Sequence, residues 1–190
     1  MIGGINVEKD KQLGVDLYQD VRRCKDICYR YNNLLPSDDE NKQNILKELI
    51  GKMGKNCTIT QPFYCDMGYN IEIGDNFYTN HNCVILDGAK VIIGNNVFVA
   101  PNCCISTANH PLDYEQRNKG IEYAVPITIE DNVWIGASVT ILSGITIGKN
   151  SVIGAGSVVT RNIPPNVIAV GNPCKVLRQI TDNDKYEPNI

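Results

Sequence analysis

Residues 127–163 run ITIEDNVWIGASVTILSGITIGKNSVIGAGSVVTRNI, and the spacing of the aliphatic side chains in this stretch decides the fold. Stepping by six from Ile129 lands on Ile135, Ile141, Ile147, Ile153 and Val159. Four places further along each block stand Val133, Val139, Ile145, Ser151, Ser157 and Ile163, all small or β-branched. A helix repeats every 3.6 residues and an ordinary strand every two. A period of six instead suits a short flat strand followed by a turn. Successive blocks then stack their aliphatics in one column, which is the signature of a parallel β-helix. A β-sandwich would need turns at intervals of about 8–12 residues and no strict period.

Working outward, the same rule holds upstream through Ile73-Gly74, Thr79 and Ile85, and resumes two residues out of phase at Ile93-Gly94, Val99 and Ile105. Between Ile59 and Ile168 there are 28 Ile plus Val against 3 Leu, a bias that favours extended backbone. The period fails once, over residues 106–126, STANHPLDYEQRNKGIEYAVP. This polar stretch must loop out of the coil, and a long loop on a rigid scaffold is a usual home for function.

The N-terminal part is helical. Leu17, Val21, Cys24, Cys28 and Tyr31 fall on one face of a helix. After Pro36, Ser37 and Glu40 form a capping box that opens a second helix, with Ile45, Leu46, Leu49, Ile50 and Met53 as its buried face and Gly54 as its stop. The chain therefore divides into a helical cap (1–56), a β-solenoid (57–173) and a tail (174–190). The cap covers the first coil, because a solenoid end left open exposes apolar surface.

Composition narrows the function. Net charge is −3 from 18 basic and 21 acidic side chains, which argues against a nucleic-acid binder. No apolar run approaches a membrane span, and MIGGINVEKDKQ lacks the features of a signal peptide, so a soluble, cytoplasmic protein is expected. The eight cysteines form no C-x-x-C pair and read as free thiols used as small apolar residues. With two histidines, His81 and His110, and no evident ligand cluster, no metal site is expected. The same count excludes a zinc hydratase on this scaffold, which needs three histidines.

The hexapeptide blocks, FYCDMGYNI at 63–71, HPLDYEQRNKGIEY at 110–123 and the ending VGNPCKV together resemble the maltose and galactoside O-acetyltransferases. These are acetyl-CoA-dependent members of the hexapeptide-repeat acyltransferases, and the likeness covers nearly the whole chain. The resemblance implies a left-handed coil, a homotrimer and active sites between subunits. The two quoted segments, and Asp66 in particular, lean toward the maltose branch. A galactoside acceptor, or another small acceptor such as serine, a nucleotide sugar or an antibiotic, remains the alternative, and a non-enzymatic scaffold is the reading furthest from these motifs.

Transfer of an acetyl group to a sugar hydroxyl needs a base for the proton and donors for the oxyanion. By resemblance His110 is that base and Asn80 assists the transition state. His81 lies inside a repeat block and reads as a packed or surface imidazole. Asp66, Tyr78 and Asp87 match positions lining the acceptor, where carboxylates suit sugar hydroxyls. A further acidic contact of the family is Gly88 here, and the acceptor aspartate of the N-terminal region matches neither Asp10 nor Asp16 cleanly. For the coenzyme the resemblance points to Trp134, Ala137, Ala155, Thr160 and Arg161 along the coils. Lys175 and Arg178 then meet its phosphates, and Ala137 can supply only a backbone N–H.

Overall fold

The computed structural model describes residues 17–187. Two helices precede a parallel β-solenoid of about six turns, a triangular prism with three faces. The first face stacks β1 (Lys52–Met53), β4 (Ile71–Ile73), β7 (Val91–Ile93), β12 (Ile127–Ile129) and β15 (Thr146–Ile147). The second stacks β2 (Thr58–Ile59), β5 (Tyr78–Thr79), β8 (Phe98–Val99), β13 (Trp134–Ile135), β16 (Val152–Ile153) and β18 (Val167–Val170). The third stacks β3 (Phe63–Cys65), β6 (Cys83–Leu86), β9 (Cys104–Ser106), β14 (Thr140–Ile141) and β17 (Val158–Val159). Both inward positions of each block are buried: the aliphatic column from Ile129 to Val159, and Val133, Val139, Ile145, Ser151, Ser157 and Ile163 beside it. The two serines are tolerated because Ser151 donates to the Pro164 carbonyl and Ser157 to that of Gly154.

Each corner turns the chain sharply within a few residues, and at one corner a residue of every coil lies in the left-handed region. Asn56, Asn76, Asn96, Asn132, Asn150 and Asn166 hold that conformation at the corner between first and second faces, with φ from 54° to 60°. Their amides donate from each coil to the next at 2.8–3.1 Å, building one continuous ladder. Asparagine tolerates positive φ better than most residues, and here its side chain is also used.

The phase shift seen in the sequence has a structural cause. Strand register advances by 20 residues from Lys52 to Glu72 and again from Glu72 to Ile92, but by 18 from Thr128 to Thr146. The two extra residues widen the corner after the third face. Asp87 fills the widened corner beneath it, with Oδ1 accepting the N–H groups of Asp66 (3.1 Å) and Met67 (2.9 Å) and Oδ2 that of Asn70 (3.3 Å). Thr107 serves the next coil, donating to the Leu86 carbonyl at 2.7 Å and accepting from Ala89 at 3.0 Å.

The excluded loop carries structure of its own. Beyond β9 the chain forms β10 (Ala108–Asn109), then a short helix (Tyr114–Asn118) capped by Asp113, then β11 (Tyr123–Ala124), which pairs antiparallel with β10. Val125 donates to the Thr107 carbonyl at 2.9 Å, so the excursion closes where it opened.

At the N-terminal end, helix α1 (Leu17–Asn32) lies on the first coil through Cys24, Ile27, Cys28 and Tyr31. Asn32 imitates a strand there: its amide donates to the Phe63 carbonyl and accepts the Phe63 N–H, each at 2.9 Å. Tyr31 hydroxyl donates to the Ile59 carbonyl. The open strand edge is thereby covered. Helix α2 (Asp39–Leu49) departs from the expected frame at both ends. Its cap is Asp38, not Ser37, and the Asp38 carboxylate accepts the Asn41 N–H at 3.3 Å. An anionic cap also meets the positive end of the helix dipole. The helix stops at Leu49 rather than running to Met53, because Ile50 turns extended and residues 52–53 are drawn into pairing with β4. Gly51 allows this; a Cβ there would fall 2.1 Å from the Tyr69 carbonyl oxygen. At the other end β19 (Lys175–Gln179) folds back antiparallel on β18.

Two substitutions test this frame. Asn96→Ala removes two ladder bonds and leaves a left-handed residue with a Cβ, at a cost of about 2 kcal/mol, whereas Asn96→Gly keeps the backbone relaxed and costs about half as much. Asp87→Ala strands three backbone N–H groups and should cost about 3–5 kcal/mol, lowering the melting temperature by about 10 °C or more. Thermal unfolding followed by circular dichroism ranks the three. Asn96→Gly unfolding below Asn96→Ala would refute the strain argument.

Candidate functional site

The stacking of coils sorts the candidate residues by corner. Tyr78, Phe98 and Trp134 occupy the same outward position on consecutive coils of the second face, in register Tyr78–Phe98–Trp134. Tyr78 and Phe98 rings lie 6.4 Å apart, tilted by 42°. With Asn80, Val99 and Ala100 they line an apolar groove of about 440 Å³ along the corner between second and third faces. Trp134 and Phe98 are half exposed, at 55% and 50%. The sequence signal for Phe98 is the outward position it shares with Tyr78 and Trp134, one coil from each.

Asn80 sits on the turn leaving β5. Its Oδ1 accepts the His81 N–H at 2.7 Å, so the amide's donor end is the one left to face the groove. His81 Nδ1 donates to the Gln61 carbonyl, which fixes the tautomer and pins the ring to the coil below. Ala137 and Ala155 follow along the same corner on later coils, linked by Gly156 N–H to the Ala137 carbonyl at 2.8 Å. Gly136 beside them has no room for a side chain, since its Cβ would meet Ala155 N at 2.6 Å. Small residues keep this edge of the groove low.

The second group lies one corner away, across the third face. Asp66 follows β3, and Thr160 and Arg161 follow β17 at the same corner, both exposed. His110 directly follows β10, with Nε2 3.8 Å from Oε1 of Glu122, which directly precedes β11. Asp66 is pushed above the ordinary carboxylate range by burial; Lys25 opposes the shift and Glu122 adds to it. Thus Asp66, Glu122 and His110 share one corner, while Asn80 and the aromatic groove share another. One chain does not gather all of the predicted residues.

Asp87 stands apart from both groups. It is fully buried, and its carboxylate is occupied by the three backbone N–H groups of the widened corner, so in this chain it builds the turn beneath Asp66 rather than facing an acceptor. Burial pushes its pKa up despite those bonds. Arg178 is also engaged: its guanidinium clasps Asp184 at 2.8 and 2.5 Å, which raises its own pKa and holds Asp184 below the usual range. Lys175, on the same strand, has no acidic partner among the described residues. Asp10 and Asp16 lie outside the described residues.

The cysteines need one correction. All eight are free thiols, as expected, but Cys24, Cys28 and Cys65 converge from positions far apart in sequence and form a ligand cluster that spacing did not reveal. No helix among the described residues is long and apolar enough to cross a membrane.

Comparison with known proteins adds to this geometry. Residues 13–54 match the maltose acetyltransferase hexapeptide capping motif, and residues 126–161 match the hexapeptide repeat of succinyl-transferase. A putative acetyltransferase of Saccharomyces cerevisiae is 56% identical over 180 residues, 95% of this chain and 92% of that protein. The chain belongs to the maltose/galactoside O-acetyltransferase family. A crystal structure of a maltose O-acetyltransferase from Clostridium difficile 630 superposes with a TM-score of 0.83 at 48% identity, covering 87% of this chain and 89% of the other. A galactoside acetyltransferase in complex with coenzyme A superposes with a TM-score of 0.88 at 42% identity, covering 97% and 96%. This acyltransferase family fits a fold whose grooves run along the coil corners.

The raised pKa of Asp66 has a thermodynamic consequence. The native chain binds this proton more tightly than the unfolded chain, so the Asp66 contribution favours folding most below the unfolded value of about 3.9. It is lost as pH rises through the higher folded value. Asp66→Asn should therefore raise the melting temperature at pH 7, with the gain vanishing below pH 4. An equal gain at both pH values would show that ionisation is not its source.

Proposed function

We propose that this protein transfers the acetyl group of acetyl-CoA to a hydroxyl of maltose, glucose or a related sugar, with His110 as general base. The observation that carries the reading is the division of the site: a donor groove with Asn80 at one corner, and a His110–Glu122–Asp66 cluster across the third face. Each half is incomplete and both face outward. In a closed homotrimer the His110 corner of one copy would meet the Asn80 groove of its neighbour, turning two shallow surfaces into a deep cleft where oriented donors act strongly. Leu112, almost fully exposed at 98% on the loop, suits such a contact.

In that cleft the pantetheine arm lies along Trp134, Phe98 and the low edge of Ala137 and Ala155. Thr160, Arg161, Lys175 and Arg178 lie toward the nucleotide and phosphates, where cations are favoured. For Arg178 this means exchanging the Asp184 carboxylate for a phosphate. Asp66 and Tyr78 line the acceptor. His110 removes the proton of the sugar hydroxyl as its oxygen attacks the thioester carbon, and Glu122 steadies the imidazolium that forms. The Asn80 amide and a backbone N–H at Ala137 receive the oxyanion. Collapse expels the coenzyme thiolate, which takes the proton back from His110. The product is the O-acetyl sugar.

Turnover of acetyl-CoA against maltose, glucose, galactosides, serine and chloramphenicol tests the acceptor class; faster turnover with serine or chloramphenicol than with any sugar overturns it. His110→Ala should lower kcat by about 10²–10⁴ with acetyl-CoA affinity little changed. Retention of a tenth of the activity would remove His110 from the mechanism. Refolding His110→Ala together with Asn80→Ala should restore part of the activity that each lacks alone, since some mixed interfaces then carry both intact residues. Mixed assemblies that stay inactive, or a monomer by light scattering, would refute the shared site.

A further inference from the structure

Helix α1 presents Cys24 and Cys28 one turn apart on its buried face, and Cys65 ends β3 directly against them. The three are 0%, 3% and 6% exposed. Cys65 Sγ lies 3.5 Å from Cys24 Sγ and 3.9 Å from Cys28 Sγ, and all three sulfurs fall within 4.8 Å of one another. Two other buried thiols, Cys57 and Cys103, lie outside this sulfur cluster. Cys57 donates to the Gly74 carbonyl at 3.2 Å, and Cys103 to those of Ala100 and Gly136 at 3.1 and 3.2 Å, each an ordinary core cysteine bonded to backbone. In the trio Cys24 also donates to the Cys65 carbonyl, at 3.3 Å, but the three sulfurs face one another besides, an arrangement that packing alone does not require: alanine would fill the same contacts without crowding three polarizable atoms together.

We propose that Cys24, Cys28 and Cys65 form a trithiolate site for a thiophilic metal ion satisfied by three sulfur ligands, of which Cu(I) is the type. Thiolates about 2.3 Å from a metal, at the corners of a flat triangle, stand about 4.0 Å apart, close to the spacing already present. Soft sulfur ligands select Cu(I) and Zn(II) among biological ions. Zn(II) takes a fourth ligand, and among the described residues no carboxylate or imidazole joins the three sulfurs. The site is also buried from water. A three-coordinate ion needs neither. Each metal–sulfur bond that forms displaces a thiol proton to solvent. An ion held here would tie α1 to the first coil across 37 and 41 residues of sequence, separately from the proposed acetyl-transfer chemistry.

The test uses the reduced full-length protein without air. Cu(I) is titrated in competition with bicinchoninate, and X-ray absorption counts the sulfurs on the bound metal. One Cu(I) per chain, three sulfurs at about 2.3 Å and a higher melting temperature are expected. Cys28→Ala and Cys28→Ser should weaken Cu(I) binding at least 100-fold, while Cys104→Ala, on the third face of a later coil, leaves it unchanged. No Cu(I) retained against the competitor overturns the proposal, as does a folded Cys28 variant that binds like the parent. If the Cys28 variants fail to fold, the sulfur count on the parent protein decides. Co(II) serves as the final control: intense tetrahedral bands would reveal a fourth ligand and overturn the three-coordinate assignment.

Discussion

The corner between first and second faces places one residue of each coil in the left-handed region, and this fold depends on how that constraint is met. Glycine would meet it without strain but with a large entropy loss on folding. Asparagine meets it at six successive coils of one corner, and its amide pairs with the amide above and below. The strands between corners are only two to four residues long, too short to define their own register. The ladder supplies that register, because each amide meets its partners only at the heights of the adjacent coils. The aliphatic column then fills the space that the corners enclose.

The corner after the third face departs from this economy, and the candidate chemistry collects there. Coils of 20 residues leave backbone donors of the wider turn without strand partners. Asp87 and Thr107 supply the missing acceptors and donors from the coil beyond. That wider turn is what carries Asp66 outward toward Glu122 and His110. The opposite edge of the same face stays tight, with Gly136 against Ala155, and forms the wall of the aromatic groove. Two corners of different width give one chain two unlike clusters of candidate residues.

The period of six made the solenoid legible, because it is a local property repeated along the chain. The excluded loop was legible for the same reason, as the one interval where the grid fails. What escaped was set by contacts between distant positions. Phe98 belongs to the groove only because its coil stacks between those of Tyr78 and Trp134. The end of α2 is not legible in the pattern because Ile50 and Met53 satisfy a helical spacing, while strand pairing with β4 claims residues 52–53. The thiol cluster joins residues 37 and 41 apart, and neither spacing carries any periodic signal. The engagement of Arg178 by Asp184 depends on how the tail folds back, which the aliphatic pattern does not reach.

The excursion that bears His110 is closed at its base by Val125 N–H on the Thr107 carbonyl, and the chain re-enters the first face at Ile127 in register with Val91. Nothing in the prism therefore measures how long the excursion is. Doubling a flexible loop adds only about 0.6 kcal/mol of closure entropy. Selection can lengthen, shorten or rewrite this segment while the coil below it remains the same object. The scaffold acts as a socket, and a lineage can change the plug without rebuilding it.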